Sequence, residues 1–389
     1  MNTLAYLKPR LKTGITILPL PSRTFVGNAQ RGLEIFSPVR AALPSIDGVK
    51  SCLEIGNALN IPIEEIEELI TELDQAHLLD TSVGKLSVHS RFHSSSTHRA
   101  SHVVDDSHDG AYLQMQSKIA SELSFTTWHD GVRDGGVDAI SERRNVSVAI
   151  HGDSRIATLL FGILLASGLS QTTLYASEKR IIGEEDTCAG FLRPSDIGAP
   201  LMGRTQELSR ELSLFPPHQP SPTVKTKPKA RSRHGGKKRQ ESEQNEGEQS
   251  TSLRSMAIAI GEAPADLIQG WLSKGVPHLL VGAPDGASLI IGPLVIPGKT
   301  PCARCIALTR EDQSEIWSGV DWQRNISPSA EVPVSVAHHV AGLIALELLR
   351  FVDTGNSEVI GARVRFNYHA PLQGGRTIYA RHPACGCSW

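Results

Sequence analysis

The sequence of 389 residues has almost no net charge, a formal −2 at pH 7. A chain this close to neutrality has no overall attraction for nucleic acid or anionic lipid. It also lacks a long hydrophobic run, because its richest apolar stretch, residues 157–169, is too short to span a bilayer and is broken by Gly162 and Gly168. The amino terminus has neither the apolar core nor the cleavage site of a signal peptide. We therefore expect a cytoplasmic protein that does not enter a membrane.

Cysteine is also scarce, with six residues in the whole chain. Four of them form two close pairs, one in mid-chain and one at the carboxyl end: Cys302 and Cys305, Cys385 and Cys387. Because nothing indicates secretion, lasting disulfides are disfavoured. Each pair supplies two thiolates from one turn, so the pattern predicts a tetrahedral zinc site, with four reduced, metal-free thiols as the alternative. Four thiolates leave zinc no open position, so such a site is structural.

The first 88 residues predict a small winged-helix domain. Pro and Gly separate three short strand patterns, which lie at 15–18, 25–26 and 33–36. Apolar residues at helical spacing then predict three helices, near 39–43, 52–59 and 63–79. Helix, turn and helix, followed by wing strands around 85–88, is the outline of a winged helix.

The charge of the third helix distinguishes between the functions that such a domain can have. It carries six acidic residues and no Lys or Arg between positions 63 and 79. DNA phosphates would repel it, so DNA binding through this helix is disfavoured. Two interpretations stay open. One is a small domain whose acidic face is merely solvated, and the other is a peptide-binding module in which a partner strand adds to the small sheet and lies against a helix.

Two polar stretches interrupt the chain. Residues 89–110 are rich in Ser and His, and the irregular His spacing without cysteine favours a flexible linker over a metal site. Residues 216–252 contain eight Lys or Arg between Lys225 and Arg239, followed by several glutamates. Few residues there could support a core, which predicts a disordered insertion, with nonspecific contact to nucleic acid as the alternative.

Residues 111–389 predict an α/β domain of the Rossmann type. A buried-strand pattern over 146–150 precedes a glycine turn, a helix and a second strand over 172–175. The phosphate-binding fingerprint is incomplete, because Gly152 stands alone where three glycines are needed and Asp153 adds a negative charge. Ala176 and Ser177 replace the carboxylate that would hold ribose hydroxyls. We expect the fold to be kept and the nucleotide chemistry to be lost.

The Rossmann opening at 146–175, the strand and helix from Met256 and the two cysteine pairs together resemble the ThiF/MoeB-type family, adenylating proteins related to ubiquitin-activating enzymes. The resemblance covers roughly residues 110–389. It implies a structural zinc at the four cysteines and a homodimer. The amino-terminal part, with its turn at 45–48, is similar to the PqqD-type winged helix of cyclodehydratase partner proteins. Those partners bind a leader peptide and present the substrate to a separate YcaO-type enzyme.

The ThiF-type resemblance also implies where ATP and magnesium would bind. The matching positions are Gly152 and Arg155 in the first turn, Arg193 as a basic residue with Arg204 beside it, and Glu262 in place of a magnesium-binding aspartate. Magnesium and triphosphate need several charges held together, and most of the family's charged residues are replaced here. The resemblance therefore predicts a degraded ATP site.

No residue is assigned a catalytic role. Cys52 lies in an apolar helical pattern and Cys188 in a loop, and neither has a sequence context that would activate a thiol. The predicted function is the binding and presentation of a peptide or small protein to a partner such as a YcaO-type cyclodehydratase. The alternative is an active ATP-dependent adenylyltransferase acting on a peptide or small-protein carboxyl terminus. A winged-helix nucleic-acid binder is the third, disfavoured interpretation.

Overall fold

The computed structural model describes residues 4–36, 38–81, 118–187, 189–215, 254–261, 263–317 and 332–387. Several sequence predictions fall outside these ranges. They concern the wing strands around 85–88, the linker 89–110, the insertion 216–252, Cys188 and Glu262.

A small antiparallel sheet and three helices make up the amino-terminal region. Its elements in chain order are β1 (Arg10–Leu11), β2 (Thr16–Pro19), β3 (Thr24–Gly27), β4 (Gly32–Ile35), a 3-10 helix over Pro38–Ser45, α1 (Cys52–Leu59), α2 (Ile63–Gln75) and β5 (Leu79–Asp80). The sheet has the order β2-β3-β4, and β1 pairs with β5. The three predicted strands and the last two predicted helices are confirmed, but the predicted end of the third helix near residue 79 is wrong. The helix α2 ends at Gln75, and Leu79 begins the strand β5. The first predicted helix is of the tighter 3-10 type and contains Pro44, which cannot donate an α-helical backbone hydrogen bond.

Local sequence signals set the ends of α1. The Ser51 hydroxyl accepts from the Glu54 N–H at 3.3 Å, and the Ser51 N–H donates to the Glu54 carboxylate at 2.7 Å, which is a capping box. Asn60 ends the helix in the left-handed conformation, with φ 55°. Cys52 is buried in the core of this region, and burial raises the pKa of its thiol to about 11. The thiol is a core residue, as the apolar pattern predicted.

A seven-stranded sheet organises the rest of the described chain. Its strands are β6 (Val146–His151), β7 (Gln171–Tyr175), β8 (Arg254–Ile260), β9 (His278–Val281), β10 (Ser288–Val295), β11 (Ala362–Asn367) and β12 (Gly375–Ile378). The accompanying helices are α3 (Val137–Arg143), α4 (Arg155–Ala166), α5 (Leu201–Leu212), α6 (Ala265–Ser273), α7 (Ala303–Gln313) and α8 (Val334–Thr354). Residues 118–126 are also helical.

The strand order is β12-β11-β10-β9-β8-β6-β7, with β7, β6, β8 and β9 parallel and β10 to β12 antiparallel. The chain runs from β6 outward to β7 and then crosses to β8 on the other side of β6. In open α/β sheets the crevice at such a switch point is where ligands bind, at the carboxyl ends of the strands. The turn after β6 lies there, so the Rossmann-type prediction for this part of the chain is confirmed.

Both faces of the sheet carry helices. The larger core forms where α4 and α8 cover one face, and α6 packs its Trp271 against the other. In the described part of the chain, α8 is the one helix long and apolar enough to cross a membrane by length and composition. Its inward residues are buried in the core against α4: Ala337, Val340, Ala341, Ile344, Ala345, Leu348 and Leu349.

A buried arginine joins three of these helical segments. The Arg143 guanidinium, at the end of α3, donates to the Asp353 carboxylate at 2.6 Å and to the Glu122 carboxylate at 2.7 Å. It also donates to the Ser167 carbonyl at 2.7 Å. A buried charge is tolerated where opposite charges and acceptors surround it, as they do here.

Candidate functional site

Four cysteine sulfurs meet where α7 begins and the chain ends. The Sγ atoms of Cys302 and Cys385 are 3.4 Å apart, and so are those of Cys305 and Cys387. All four ligand atoms lie within 4.8 Å of one another. Thiolates about 2.3 Å from a tetrahedral zinc ion would be roughly 3.8 Å apart. The cluster therefore fits a metal ion held by four sulfurs, and the structure brings together all four cysteines of the sequence prediction.

The fold positions each cysteine pair by a different device. Cys302 is the residue that caps α7, and Cys305 lies in its first turn, so both thiols sit at the positive end of the helix. On the other side, the His382 imidazole Nε2 lies 2.8 Å from the Asp312 carboxylate on α7. The Cys385 N–H then donates to the His382 carbonyl at 3.0 Å. The final turn of the chain is thus tied to the helix that presents the first pair.

The thiols of the cluster differ in acidity. Burial acts to raise the pKa of Cys305, but backbone hydrogen bonds at His382 and Cys302 and the neighbouring thiols outweigh it and bring the pKa to about 7. Burial and hydrogen bonds raise the pKa of Cys385 and of Cys387. No disulfide joins the described cysteines, all of which are free thiols. A metal ion that takes four thiolates therefore has to displace protons from this cluster.

The turn after β6 is the second candidate site. Gly152 has φ 150°, and a Cβ atom there would lie 2.7 Å from the Ile260 carbonyl at the end of β8, so only glycine fits. Its N–H donates to the Tyr175 carbonyl at 3.0 Å. Ser154 caps α4, and its hydroxyl accepts from the Ala157 N–H at 3.5 Å. The Gly152 N–H, and more weakly the Ala157 N–H, are thereby bonded within the chain, which leaves fewer N–H groups for an anion at this helix amino terminus.

Arg155, the first residue of α4, directs its guanidinium at backbone carbonyls. Nε and Nη2 lie 3.1 and 2.7 Å from the Glu185 carbonyl, and Nη1 lies 3.1 Å from the Val332 carbonyl. Arg180 is held in a similar way, with Nη2 donating to the Asp186 carboxylate at 2.8 Å. Both cations near the turn therefore hold the loop after β7 in place. The interactions of Arg180 had no counterpart in the sequence analysis, because they depend on how that loop folds back.

Arg193 belongs to a separate turn. Its side chain is exposed, and its N–H donates to the Asp196 carboxylate at 2.7 Å. Arg204 on α5 donates to the same carboxylate at 2.7 Å. The hydrogen bond from the Arg193 backbone, followed by that from Arg204, lowers the pKa of Asp196. Arg204, which the sequence offered as a second basic ligand, is thus paired with an acidic side chain.

Three aromatic rings lie beside the turn after β6, and sequence reasoning missed them. His151 and Tyr175 are direct neighbours in the β6–β7 ladder, and their rings stack with centroids 4.7 Å apart and planes 11° apart. Trp271 of α6 approaches His151 at 5.2 Å. Burial lowers the pKa of His151, which favours its neutral form. The three aromatic residues are far apart in sequence. The register of β6 and β7 pairs His151 with Tyr175, and the packing of α6 on the sheet adds Trp271.

Of the four nucleotide-site residues that the sequence predicted, Gly152 and Arg155 share one turn. Arg193 lies in the loop between β7 and α5, and Glu262 is outside the described residues. A role of these residues in nucleotide binding stays a prediction.

No protein-family model matches the chain, and no curated protein matches it either. Solved structures do. The complex of E. coli MccB with MccA-N7isoASN aligns with TM-score 0.61 and 14% identity over 98% of this chain and 99% of that chain. The complex of E. coli MccB with AMPCPP and MccA gives the same values. A heterocyclase in complex with substrate and cofactor aligns with TM-score 0.53 and 14% identity over 98% of this chain but 39% of its own.

At 14% identity these likenesses concern the fold. The chain has a ThiF-like fold similar to that of MccB, which confirms the fold expected for the larger part of the sequence. The PqqD-like character of the amino-terminal region stays a prediction.

Proposed function

We propose that this protein binds a peptide through its amino-terminal region and presents it to a partner enzyme, and that its ThiF-like domain has a degraded ATP site. The observation that carries the second half is the internal bonding of the turn after β6. Its Gly152 N–H donates to the Tyr175 carbonyl, and the Arg155 guanidinium donates to the Glu185 carbonyl. ATP phosphates need free N–H groups and cations at a helix amino terminus, and Asp153 adds an exposed carboxylate there.

Peptide capture is supported by the small sheet β2-β3-β4. In the described chain no strand pairs with the outer edge of β2 or β4. The β2 edge ends in Pro19, which has no N–H to donate, whereas β4 contains no proline. Phe36, which follows β4, exposes 56% of its surface and offers an apolar contact. An extended peptide that adds to β4 would gain main-chain hydrogen bonds and this apolar anchor.

The solved structures with this fold support a peptide as the ligand. MccB was crystallised with MccA, and the structure of a heterocyclase is known in complex with substrate and cofactor. The heterocyclase chain is longer than the part that this fold matches. The heterocyclase thus combines this fold with further residues in one chain, whereas the present chain has the fold alone over 98% of its length. We propose that a separate YcaO-type cyclodehydratase is the partner of this protein. A homodimer stays a prediction from the family resemblance.

We further propose that the cysteine cluster holds a structural zinc ion. The residues fit that ion, because four sulfurs within 4.8 Å match tetrahedral thiolate coordination. Zinc would link α7 to the final turn of the chain. With four protein ligands it has no position for substrate or water, so its contribution is to stability rather than to a reaction.

An active adenylyltransferase is the second candidate. MccB structures with ATP and with AMPCPP favour it, since that protein binds a nucleotide with the same fold. On this reading the loop after β7 moves, Arg155 and Arg180 turn toward phosphates, and a peptide carboxylate attacks the α-phosphate with loss of pyrophosphate.

Calorimetry on the full chain with ATP and magnesium separates the two candidates. We expect no binding in the micromolar range. A micromolar Kd for ATP, or ATP–pyrophosphate exchange stimulated by a peptide, would contradict the degraded-site proposal and support the adenylyltransferase.

Selection from a peptide display library tests the proposed peptide binding. We expect to select sequences that bind the isolated chain without ATP. Failure to select any binder from such a library counts against peptide capture.

A further inference from the structure

An apolar cleft lies at the amino ends of the parallel strands. Its volume is about 510 Å3, within the roughly 300–1,000 Å3 that is usual for small-molecule sites. The first residues of β6 and β8, the loop between α6 and β9, and the end of α8 surround it. The turn after β6 lies at the other end of that strand. This cleft is therefore separate from the nucleotide-like site.

The inner wall of the cleft comes from the larger core and from the loop before β9. Its apolar lining residues are Val146, Met256, Val276, Pro277, Phe351 and Val352. Val146 and Met256 are buried, with 3% and 4% of their surface exposed. The Ala257 N–H donates to the Pro277 carbonyl at 3.0 Å, which fixes the loop against β8. Because regular structure holds these groups in place, a ligand can bury apolar surface here without first ordering the chain.

Two cationic side chains line the same cleft, those of Arg254 and Lys274, and both residues are exposed, which places them at its rim. Arg254 faces the Glu142 carboxylate at 3.8 Å, a long ion pair in which both side chains are more than half exposed and therefore screened by water. Among the described residues none forms an ion pair with Lys274. None of the described residues that line the cleft is acidic. The rim therefore favours a negatively charged group.

Two helix ends at the cleft act in the opposite direction. Lys274 follows the last residue of α6 and Gly355 the last residue of α8. The carboxyl end of a helix is equivalent to about half a negative charge, whereas each cation carries a full positive charge. The two cations also stand on side chains that can move toward a ligand, and the helix ends cannot. The attraction of the cations is therefore the larger effect at the rim.

We infer that this cleft binds a small apolar carboxylate, such as a medium-chain fatty acid, with its chain against the inner wall and its carboxylate at the rim. A polar body would lose its hydrogen bonds to water against that wall, so the body of the ligand is apolar. The Arg254 guanidinium can donate to both oxygens of a carboxylate. Two exposed cations, one of them shared with Glu142, suit the single charge of a carboxylate better than the two of a phosphate.

The test is calorimetry on the full chain with octanoate, 1-octanol, octylamine and acetate as separate probes. The first three share one apolar chain and differ in the charge of the head group, and acetate has the carboxylate without the chain. We expect octanoate to bind most tightly, 1-octanol more weakly, octylamine more weakly still, and acetate to give no heat. Absence of heat with octanoate, or octylamine that binds as tightly as octanoate, would overturn the inference.

Two variants locate the site. Lys274→Gln should weaken octanoate about three- to fivefold and leave 1-octanol unchanged, because it removes one exposed charge and no apolar surface. Ser255→Phe should weaken both ligands, since Ser255 lines the cleft and a ring there takes up the space for the chain. Ser255 is exposed at the start of β8, where an aromatic residue suits a strand, so this variant should fold.

Lys299→Gln is the matched control, because Lys299 is an exposed lysine in the loop after β10 and does not line the cleft. It should bind octanoate as the wild type does. An equal loss of octanoate binding in Lys299→Gln, an equal loss of both ligands in Lys274→Gln, or unchanged binding in Ser255→Phe would contradict the assignment to this cleft. None of these outcomes depends on the peptide-presenting role, since no probe contains a peptide.

Discussion

The Lys12 ammonium lies 3.1 Å from the Asp80 carboxylate, and both side chains are buried, with 3% and 1% of their surface exposed. The same ammonium donates to the carbonyls of Thr127 and Val132, at 2.5 and 2.7 Å. The ion pair therefore joins the amino-terminal region to the segment that leads into the large sheet. Two buried charges are stable in such a place only because every one of their hydrogen-bonding groups finds a partner.

Replacing Asp80 with alanine should lower the free energy of unfolding by about 3–5 kcal/mol, because it leaves the Lys12 charge buried without its counterion. Chemical denaturation monitored by circular dichroism measures this. A Lys12→Met, Asp80→Ala double variant should recover part of the loss, since it removes both charges. A loss below about 1 kcal/mol in the single variant would place the pair among the weak, solvent-screened ones.

Cys385→Ser should release the metal ion and lower the melting temperature. We expect about one zinc per chain in the wild type by elemental analysis and much less in the variant, because three thiolates hold zinc more weakly than four. Cys52→Ala is the matched control. It removes a buried thiol from the amino-terminal core, so it should lower the melting temperature while keeping the zinc. A Cys385→Ser protein that keeps both its zinc and its melting temperature would refute the structural-zinc proposal.

Glu34→Pro should weaken binding of a library-selected peptide at least tenfold. The Asn28 N–H donates to the Arg31 carbonyl and closes the β3–β4 hairpin, so the alternation of the ladder turns the Glu34 N–H toward the open edge. Proline removes that donor without breaking a bond to β3. Glu34→Ala is the control, because it keeps the N–H and loses the carboxylate that pairs with Arg23. Equal affinity of the proline and alanine variants would show that peptides bind elsewhere.

His278 should make the protein less stable in mild acid. It is buried on β9, and burial lowers its pKa below the ordinary 6.5. The unfolded chain then binds the proton more readily than the folded one, so the stability is present above pH 6.5 and is lost as the pH falls below it.

The comparison for this prediction is His278→Asn, whose amide can still donate to the Val276 carbonyl that His278 Nδ1 contacts at 2.9 Å. Between about pH 7 and 5 the wild type should lose about 1 kcal/mol more than the variant for each unit by which the pKa is lowered. Protonation of the cysteine cluster affects both proteins alike and cancels in the difference. Parallel curves of unfolding free energy against pH would contradict the assignment.

Much of the fold could be predicted from local patterns. The period-two and helical patterns located the strands of the amino-terminal sheet, α1 and α2, and the β6–α4–β7 unit, because those elements depend on neighbouring residues. The exception was the segment Pro38–Ser45, which contains Pro44 and forms a 3-10 helix in place of the predicted α-helix.

The candidate nucleotide site was only partly predictable. Gly152 and Arg155 were found from their place after a strand, but the partners of Arg155 come from Glu185 and Val332, far along the chain.

Residue types and their spacing identified the candidate chemistry: two cysteine pairs with metal-ligand spacing, a phosphate turn short of glycine, and an acidic third helix. The contacts that these residues make follow from the tertiary structure. It places the Cys302 sulfur within 3.4 Å of the Cys385 sulfur and stacks His151 on Tyr175. Local patterns set backbone conformation over a few residues, whereas strand register and helix packing set the distances between residues that are far apart in sequence.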